Sequence, residues 1–263
     1  MNRNSNQNIY YGKTTRAIET ESFNISLTVH PANSIIPKHS HKKPYLCLLA
    51  SGSYNEESRN LSVIKNGYVL YRSINYEHSN QFSNEQSICL NLEINNPEQF
   101  INQNNFILPK LELEQKASIN IYKLLYSFKS NVSKDVLNIY CYESFLSHFE
   151  NLKVKGKLVW VKNVKEYIND NILDTISLKI LSEEFQLHPN YIVRKFKEVT
   201  GCTLSEYLIK IRLEHSIRSL IQTENPLTEI ALNSGFYDQS HFNKNFNKYI
   251  NTKPSFFRKT IKS

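Results

Sequence analysis

Two hydrophobic rhythms divide the chain. From residue 20 to about 95 the segments "SFNISLTVH", "PYLCLLASGSY", "SVIKNGYVLYRS" and "QSICLNLEI" mix β-branched and aromatic residues with polar ones in alternation, and Pro, Gly, Asn and Ser stand between them. Short strands at this spacing predict a sandwich or barrel. From about residue 110 the period lengthens. Ile121, Leu124, Leu125 and Phe128 fall at helical spacing, as do Val136, Tyr140, Phe145, Leu146 and Phe149, with Ser133–Asp135 as a break. That pattern predicts two amphipathic helices in a hairpin. "NLKVKGK" (151–157) reads as a short basic linker, and from Leu158 the pattern stays helical to the end. The expected fold class is α+β, divided into a β domain over 1–109, a hairpin and linker over 110–156, and an all-α domain over 157–263.

Turn residues sharpen the C-terminal part. In "PLTEIALNSGFYDQSHFNKNFNKY" a short helix runs from Pro226 to about Ser234, with Asn225 as its predicted N-cap. Gly235 supplies the left-handed turn, and Asp238 caps a second helix. Phe242, Phe246 and Tyr249 form that helix's buried stripe, and Ala231 is small where two helices cross closely. This is a helix-turn-helix. The second helix then exposes Gln239, Ser240, His241, Asn243, Lys244 and Asn247, with no acidic residue after Asp238. Such amides, hydroxyls and cations match the donors and acceptors of base edges in a major groove.

"SLKILSEEFQLHPNYIVRKFKEVTG" repeats the design. Its first helix starts near Ser177, the turn spans Gln186–His188, and the second helix starts at Pro189 with His188 as a weak N-cap. Ile192, Phe196 and Val199 face inward, Asn190, Val193, Arg194 and Lys197 outward, and Gly201 ends the helix. "TLSEYLIKIRLEHSIRSLIQT" is one long helix with Leu204, Tyr207, Leu208, Ile211, Leu220 and Ile221 on its core side. A rigid spacer of this kind sets two reading helices into successive major grooves, about 34 Å apart.

Charge adds modest support. The chain carries +8; residues 157–263 hold 16 Lys/Arg against 11 Asp/Glu, a net of +5, and the remainder holds +3. An excess of this size points to an acidic partner without requiring one. Cys47, Cys89, Cys141 and Cys202 are widely spaced with no CxxC, as expected of reduced thiols in a cytoplasmic protein. The polar start "MNRNSNQNIYYGK" has no apolar signal core, and no stretch approaches the roughly 20 apolar residues that span a bilayer.

Residues from about 160 to 260 resemble the DNA-binding domain of the AraC/XylS family of bacterial transcription regulators. The resemblance rests on "ISLKIL", "NYIVRKFKEVTG", "LSEYLIKIRL", "LTEIALNSGFYDQSHFNKNFNKY" and "KPSFFRK". Departures are Ser182, Gln186 and His188 in the first motif, Ser216 in the linking helix, and Asn251 where the family has glycine. The resemblance implies DNA contact by Asn190, Val193, Arg194 and Lys197 on one helix and by Gln239, Ser240, His241, Asn243 and Lys244 on the other. Arg212 matches a family arginine, with an internal salt bridge as its expected role. The implied partners are double-stranded promoter DNA, a small-molecule effector of unknown identity, a second copy of the chain, and RNA polymerase if the protein activates.

The implied N-terminal fold is a cupin-like barrel, and "HSHKKPYLCLLASG" resembles a cupin stretch. His39 and His41, two apart, would share one face of a strand, and His78 could join them. Three converging imidazoles suit a divalent metal, but Tyr45 stands where the cupin pattern has its glutamate. His39, His41, Tyr45 and His78 are therefore assigned to an effector pocket with no metal and no cofactor. No nucleophile paired with a base and no phosphate-cradling loop is present, so no enzyme is expected. A metal-dependent cupin enzyme or metal sensor fused to a DNA-binding domain is the alternative, and a barrel acting only as a dimerisation scaffold is a third reading.

Overall fold

How strictly a strand alternates reflects how many of its faces are covered. The computed structural model describes residues 12–58, 61–104, 108, 113–149 and 159–262; the predicted linker at 151–157 lies outside them. The chain divides into two units, one of residues 1–117 with 127–145, the other of 118–126 with 146–263.

In the first unit two antiparallel sheets face each other. One runs β1 (Lys13–Glu19), β2 (Phe23–His30), β9 (Ser87–Ile94), β4 (Tyr45–Ser51), β7 (Tyr68–Arg72), β10 (Leu113–Lys116). The other runs β3 (Ile35–His39), β8 (His78–Phe82), β5 (Ser53–Glu57), β6 (Leu61–Lys65). Tyr45, Cys47 and Leu49 of β4, with Leu70 and Cys89, meet Ile36, Tyr54, Ile64 and Phe82 across the gap. The other face of β4 carries Leu46 and Leu48, opposite Leu92 and Leu90 of β9. Helices α1 (Pro97–Asn104) and α3 (Lys134–Phe149) cover the outer face of the six-stranded sheet at Phe23, whose ring packs against those of Phe100, Tyr142 and Phe145 with centroids 5.7, 5.0 and 6.1 Å away. Buried on both faces, β4 reads as a continuous apolar run. The edge strand β1 is mostly exposed and polar, so the hydrophobic pattern that starts at residue 20 passes over it.

Helix α2 (Ile119–Lys129) buries Ile121, Leu124, Leu125 and Phe128, the row its spacing predicts. On α3 the buried row is Leu137, Cys141, Phe145 and Phe149, while Val136, Tyr140 and Leu146 are only half-buried. Apolar pairs at 136–137 and 140–141 made two rows compatible with the sequence, and the one with an unbroken four-residue repeat is the one that packs.

The second unit holds α4 (Val159–Asp170), α5 (Leu178–Phe185), α6 (Pro189–Thr200), α7 (Leu204–Gln222), α8 (Leu227–Asn233), α9 (Gln239–Ile250) and α10 (Pro254–Lys262). Val161, Val164, Ile168, Leu181, Ile192 and Phe196 form one core, on which Leu204, Tyr207 and Leu208 of α7 rest half-buried. Phe242, Phe246 and Phe257 build a second, with successive ring centroids 5.5 and 5.4 Å apart. Between them α7 buries Leu213, Ser216, Ile217 and Leu220. The expected core residues Ile211 and Ile221 are half-buried, because each lies a residue or two off that 3–4 spaced row. Likewise Ile250, four residues after Phe246, completes the buried stripe of α9 in place of Tyr249. No described helix is long and apolar enough to cross a membrane.

Candidate nucleic-acid interface and effector pocket

The first helix-turn-helix is α5–α6. Ser177 caps α5, accepting from Ile180 N at 3.2 Å. Gln186 takes the left-handed conformation at φ 52° that ends the helix. Ser182, where the family resemblance departs, donates its hydroxyl to Leu187 O at 2.7 Å and so helps hold the turn. His188 caps α6 through Nδ1, which accepts from Asn190 N at 3.3 Å. Ile192 and Phe196 point into the core, and this leaves Asn190, Val193, Arg194 and Lys197 exposed along one stripe at i, i+3, i+4 and i+7. Lys195 and Glu198 pair with each other at 2.8 Å, with Glu198 at the edge of that stripe.

The second motif, α8–α9, turns differently. Pro226, not Asn225, stands at the N-cap of α8 and offers no side-chain cap; Asn225 instead donates to Glu229 Oε1 at 2.7 Å. A proline at that place leaves Asn225 one residue too early to reach the free N–H groups. Gly235 has φ +81°, and a Cβ there would lie 2.4 Å from Ile172 O and 2.7 Å from Arg212 Nε. Asp238 caps α9, accepting from His241 N at 2.7 Å. Asn251, with φ 60°, ends the helix in the left-handed region that Asn tolerates.

The predicted face of α9 is only partly open. Ser240, Lys244, Asn247 and Lys248 are exposed, whereas Gln239, His241 and Asn243 are half-buried. Gln239 Oε1 accepts from Thr228 Oγ1 of α8 at 2.6 Å, and the His241 ring packs edge-on against Phe236 with centroids 5.5 Å apart. Helix packing claims these side chains because α8 crosses close to the first turn of α9. Tyr237, 87% exposed just ahead of that turn, was missed by sequence reasoning; its signal is an aromatic residue in the turn with no apolar partner at helical spacing.

Among the described residues Arg212 makes no salt bridge, in place of the internal one expected. Its Nε donates to Ile172 O at 3.0 Å and its Nη2 to Asp174 O at 3.1 Å. Those carbonyls follow α4, so α7 grips the approach to the first motif while Gly235 of the second packs onto the same spot. Ser216, another departure, is buried and donates to Leu213 O at 2.8 Å, which satisfies its hydroxyl within the helix.

In the first unit the two sheets line a partly open cavity of about 40 Å³. The structure brings His39, His41, His78 and Tyr45 together on its wall. His39 lies directly opposite His78 in the β3–β8 ladder. The alternation expected to align His39 with His41 does not operate, since β3 ends at His39. A register shift between Ile36 and His39 does the work: the extra residue, at Pro37–Lys38, lets both Ile36 and His39 address the interior. Behind His78 the buried Arg72 and Glu56 form an ion pair, and Arg72 also stacks over Tyr76, 5.1 Å from its ring centroid. Burial holds the imidazoles neutral, lowering the pKa of His41 to about 4 and of His78 to about 3.

A helix-turn-helix domain family matches residues 181–260. "Probable transcription factor PqrA" of Proteus vulgaris is 34% identical over 105 residues, which cover 40% of this chain and 82% of that protein. "HTH-type transcriptional activator RhaS" of Mannheimia succiniciproducens is 27% identical over 258 residues, 86% of this chain and 90% of that protein. The chain spans about half the length of other curated relatives that it matches. Among solved structures, ToxT from Vibrio cholerae aligns over 92% of this chain and 100% of its own at 16% identity and a TM-score of 0.41.

Proposed function

The chain belongs to the AraC/XylS family of transcriptional regulators, and from that premise we propose that it controls transcription by laying α6 and α9 in the major groove of promoter DNA. One observation carries the reading: both second helices expose a basic, amide-bearing stripe, and the one acid beside it, Glu198 on α6, is paired with Lys195 at 2.8 Å. On α6 it is Asn190, Val193, Arg194 and Lys197; on α9 it is Ser240, Lys244, Asn247 and Lys248. Among the described residues no ion pair engages Arg194, Lys197 or Lys244. Unpaired cations of this kind displace counterions from phosphates, and the neighbouring amides and hydroxyl meet base edges. Gln239 and Asn243 contribute from the half-buried flank of α9, and His241 chiefly buttresses its start.

The pocket between the sheets receives the effector, and the α2–α3 hairpin pairs two chains. Effector binding then biases how two DNA-binding units are presented, so that their joint engagement is gained or lost. If the protein activates, RNA polymerase is its further partner.

The test is selection of duplexes from random sequence with the full chain, followed by fluorescence anisotropy over a range of salt. The expected result is a defined sequence preference and a salt-dependent affinity that collapses in the Arg194→Ala/Lys244→Ala double variant. Undiminished binding by a folded double variant overturns the docking.

A further inference from the structure

Val193 stands out on the open face of α6. It is 47% exposed, and among the described residues it is the only large exposed apolar side chain on α6 or α9. Core packing does not require it there, because the buried row of α6 is Ile192 and Phe196. Part of the side chain borders a hollow beside Leu181 of α5 and Leu204 and Leu208 of α7, and the rest stands in solvent. Helix propensity does not explain it either, since a β-branched residue is a weaker helix former than lysine, glutamine or arginine.

Its neighbours are of base-reading types. Asn190 lies one turn before it and Arg194 directly after it, both exposed, in the N-terminal half of α6 that a reading helix turns to base edges. Asparagine pairs in bidentate fashion with adenine, and arginine with guanine. A saturated side chain between them has one complementary group in a major groove. Phosphates and base-edge donors and acceptors require polar partners, whereas the C5-methyl of thymine is apolar and faces the groove. A rise of about 1.5 Å per residue puts Asn190 and Arg194 about 6 Å apart along α6, against about 3.4 Å per base pair. The three side chains therefore address a run of about three pairs. On α9 the open positions Ser240, Lys244, Asn247 and Lys248 include no branched apolar group.

We propose, on the docking set out above, that Val193 is a specificity-determining residue: it covers the C5-methyl of a thymine, beside pairs that Asn190 reads as adenine and Arg194 as guanine. The methyl requirement then falls within the half-site of α6 alone.

Duplexes are selected with the full chain, and each thymine of the preferred site is replaced in turn by deoxyuridine, which removes the methyl and keeps the base pair. Anisotropy titrations compare the wild-type chain with Val193→Ala, which lacks both γ-methyls and is checked for folding by circular dichroism. One thymine is expected whose replacement weakens wild-type binding about 4-fold, the weight of one buried methyl. Val193→Ala should bind the thymine and deoxyuridine duplexes equally at that position. If no replacement weakens wild-type binding, the assignment is overturned, while the sequence preference itself leaves the docking standing. A loss that Val193→Ala retains in full also overturns it, because another residue then reads the methyl. Failure to select any preferred sequence overturns the docking and the assignment together.

Discussion

At the turn between α5 and α6 stands Gln186, and at the turn between α8 and α9 stands Gly235. Both adopt positive φ, 52° and 81°. The glutamine side chain is exposed to solvent, so that turn bears only the backbone cost of a left-handed non-glycine residue, about 1–2 kcal/mol. At Gly235 the Ile172 carbonyl and the Arg212 guanidinium occupy the space a Cβ would need. The two motifs also differ in how much of the second helix stays open. On α6 the expected face is exposed throughout, while on α9 the first turn is partly claimed by Thr228 and Phe236. A tight turn thus tolerates a side chain where nothing crosses it and requires glycine where another backbone does.

Five measurements test that contrast. Gly235→Ala should cost about 3 kcal/mol or more, the left-handed penalty plus the overpacking, read as a lower urea midpoint; an unchanged midpoint removes the close-approach argument. Arg212→Met should cost about 1–2 kcal/mol in the same assay, because the half-buried Ile172 carbonyl loses its donor. Arg194→Ala and Lys244→Ala should each weaken DNA binding by about 1–2 kcal/mol and flatten its salt dependence by about one unit of slope. A larger loss for Arg194→Ala fits the fuller exposure of α6, and the reverse order reverses the ranking of the motifs. Asp238→Ala should cost about 1 kcal/mol through the lost cap on His241 N. Gln186→Gly should change stability least, a gain of under about 1 kcal/mol as relief at the turn offsets added freedom in the unfolded chain.

The motif itself was legible because its punctuation is local. Ser177, Asp238, Gly201 and Gly235 act within a few residues of where they stand, and each occupies its expected place. What depended on distant neighbours was less legible. Arg212 could not reveal its carbonyl partners, 38 and 40 residues away in sequence. The half-burial of Gln239 and His241 follows from α8 and Phe236, not from the helical period of α9. In the first unit the histidines were recognised as a set, but through strand alternation; a register shift, invisible to period-two reasoning, is what aims His39 inward. Apolar doublets on α3 left its buried row ambiguous, and only packing chose between 136/140 and 137/141.

The meeting of Arg212, Ile172 and Gly235 bears on engineering by segment exchange. A new specificity grafted as the α8–α9 stretch alone would seat a foreign turn over a recipient's arginine and post-α4 loop. A transplant that carries the three positions together preserves the joint, so the smallest portable cassette is discontinuous in sequence.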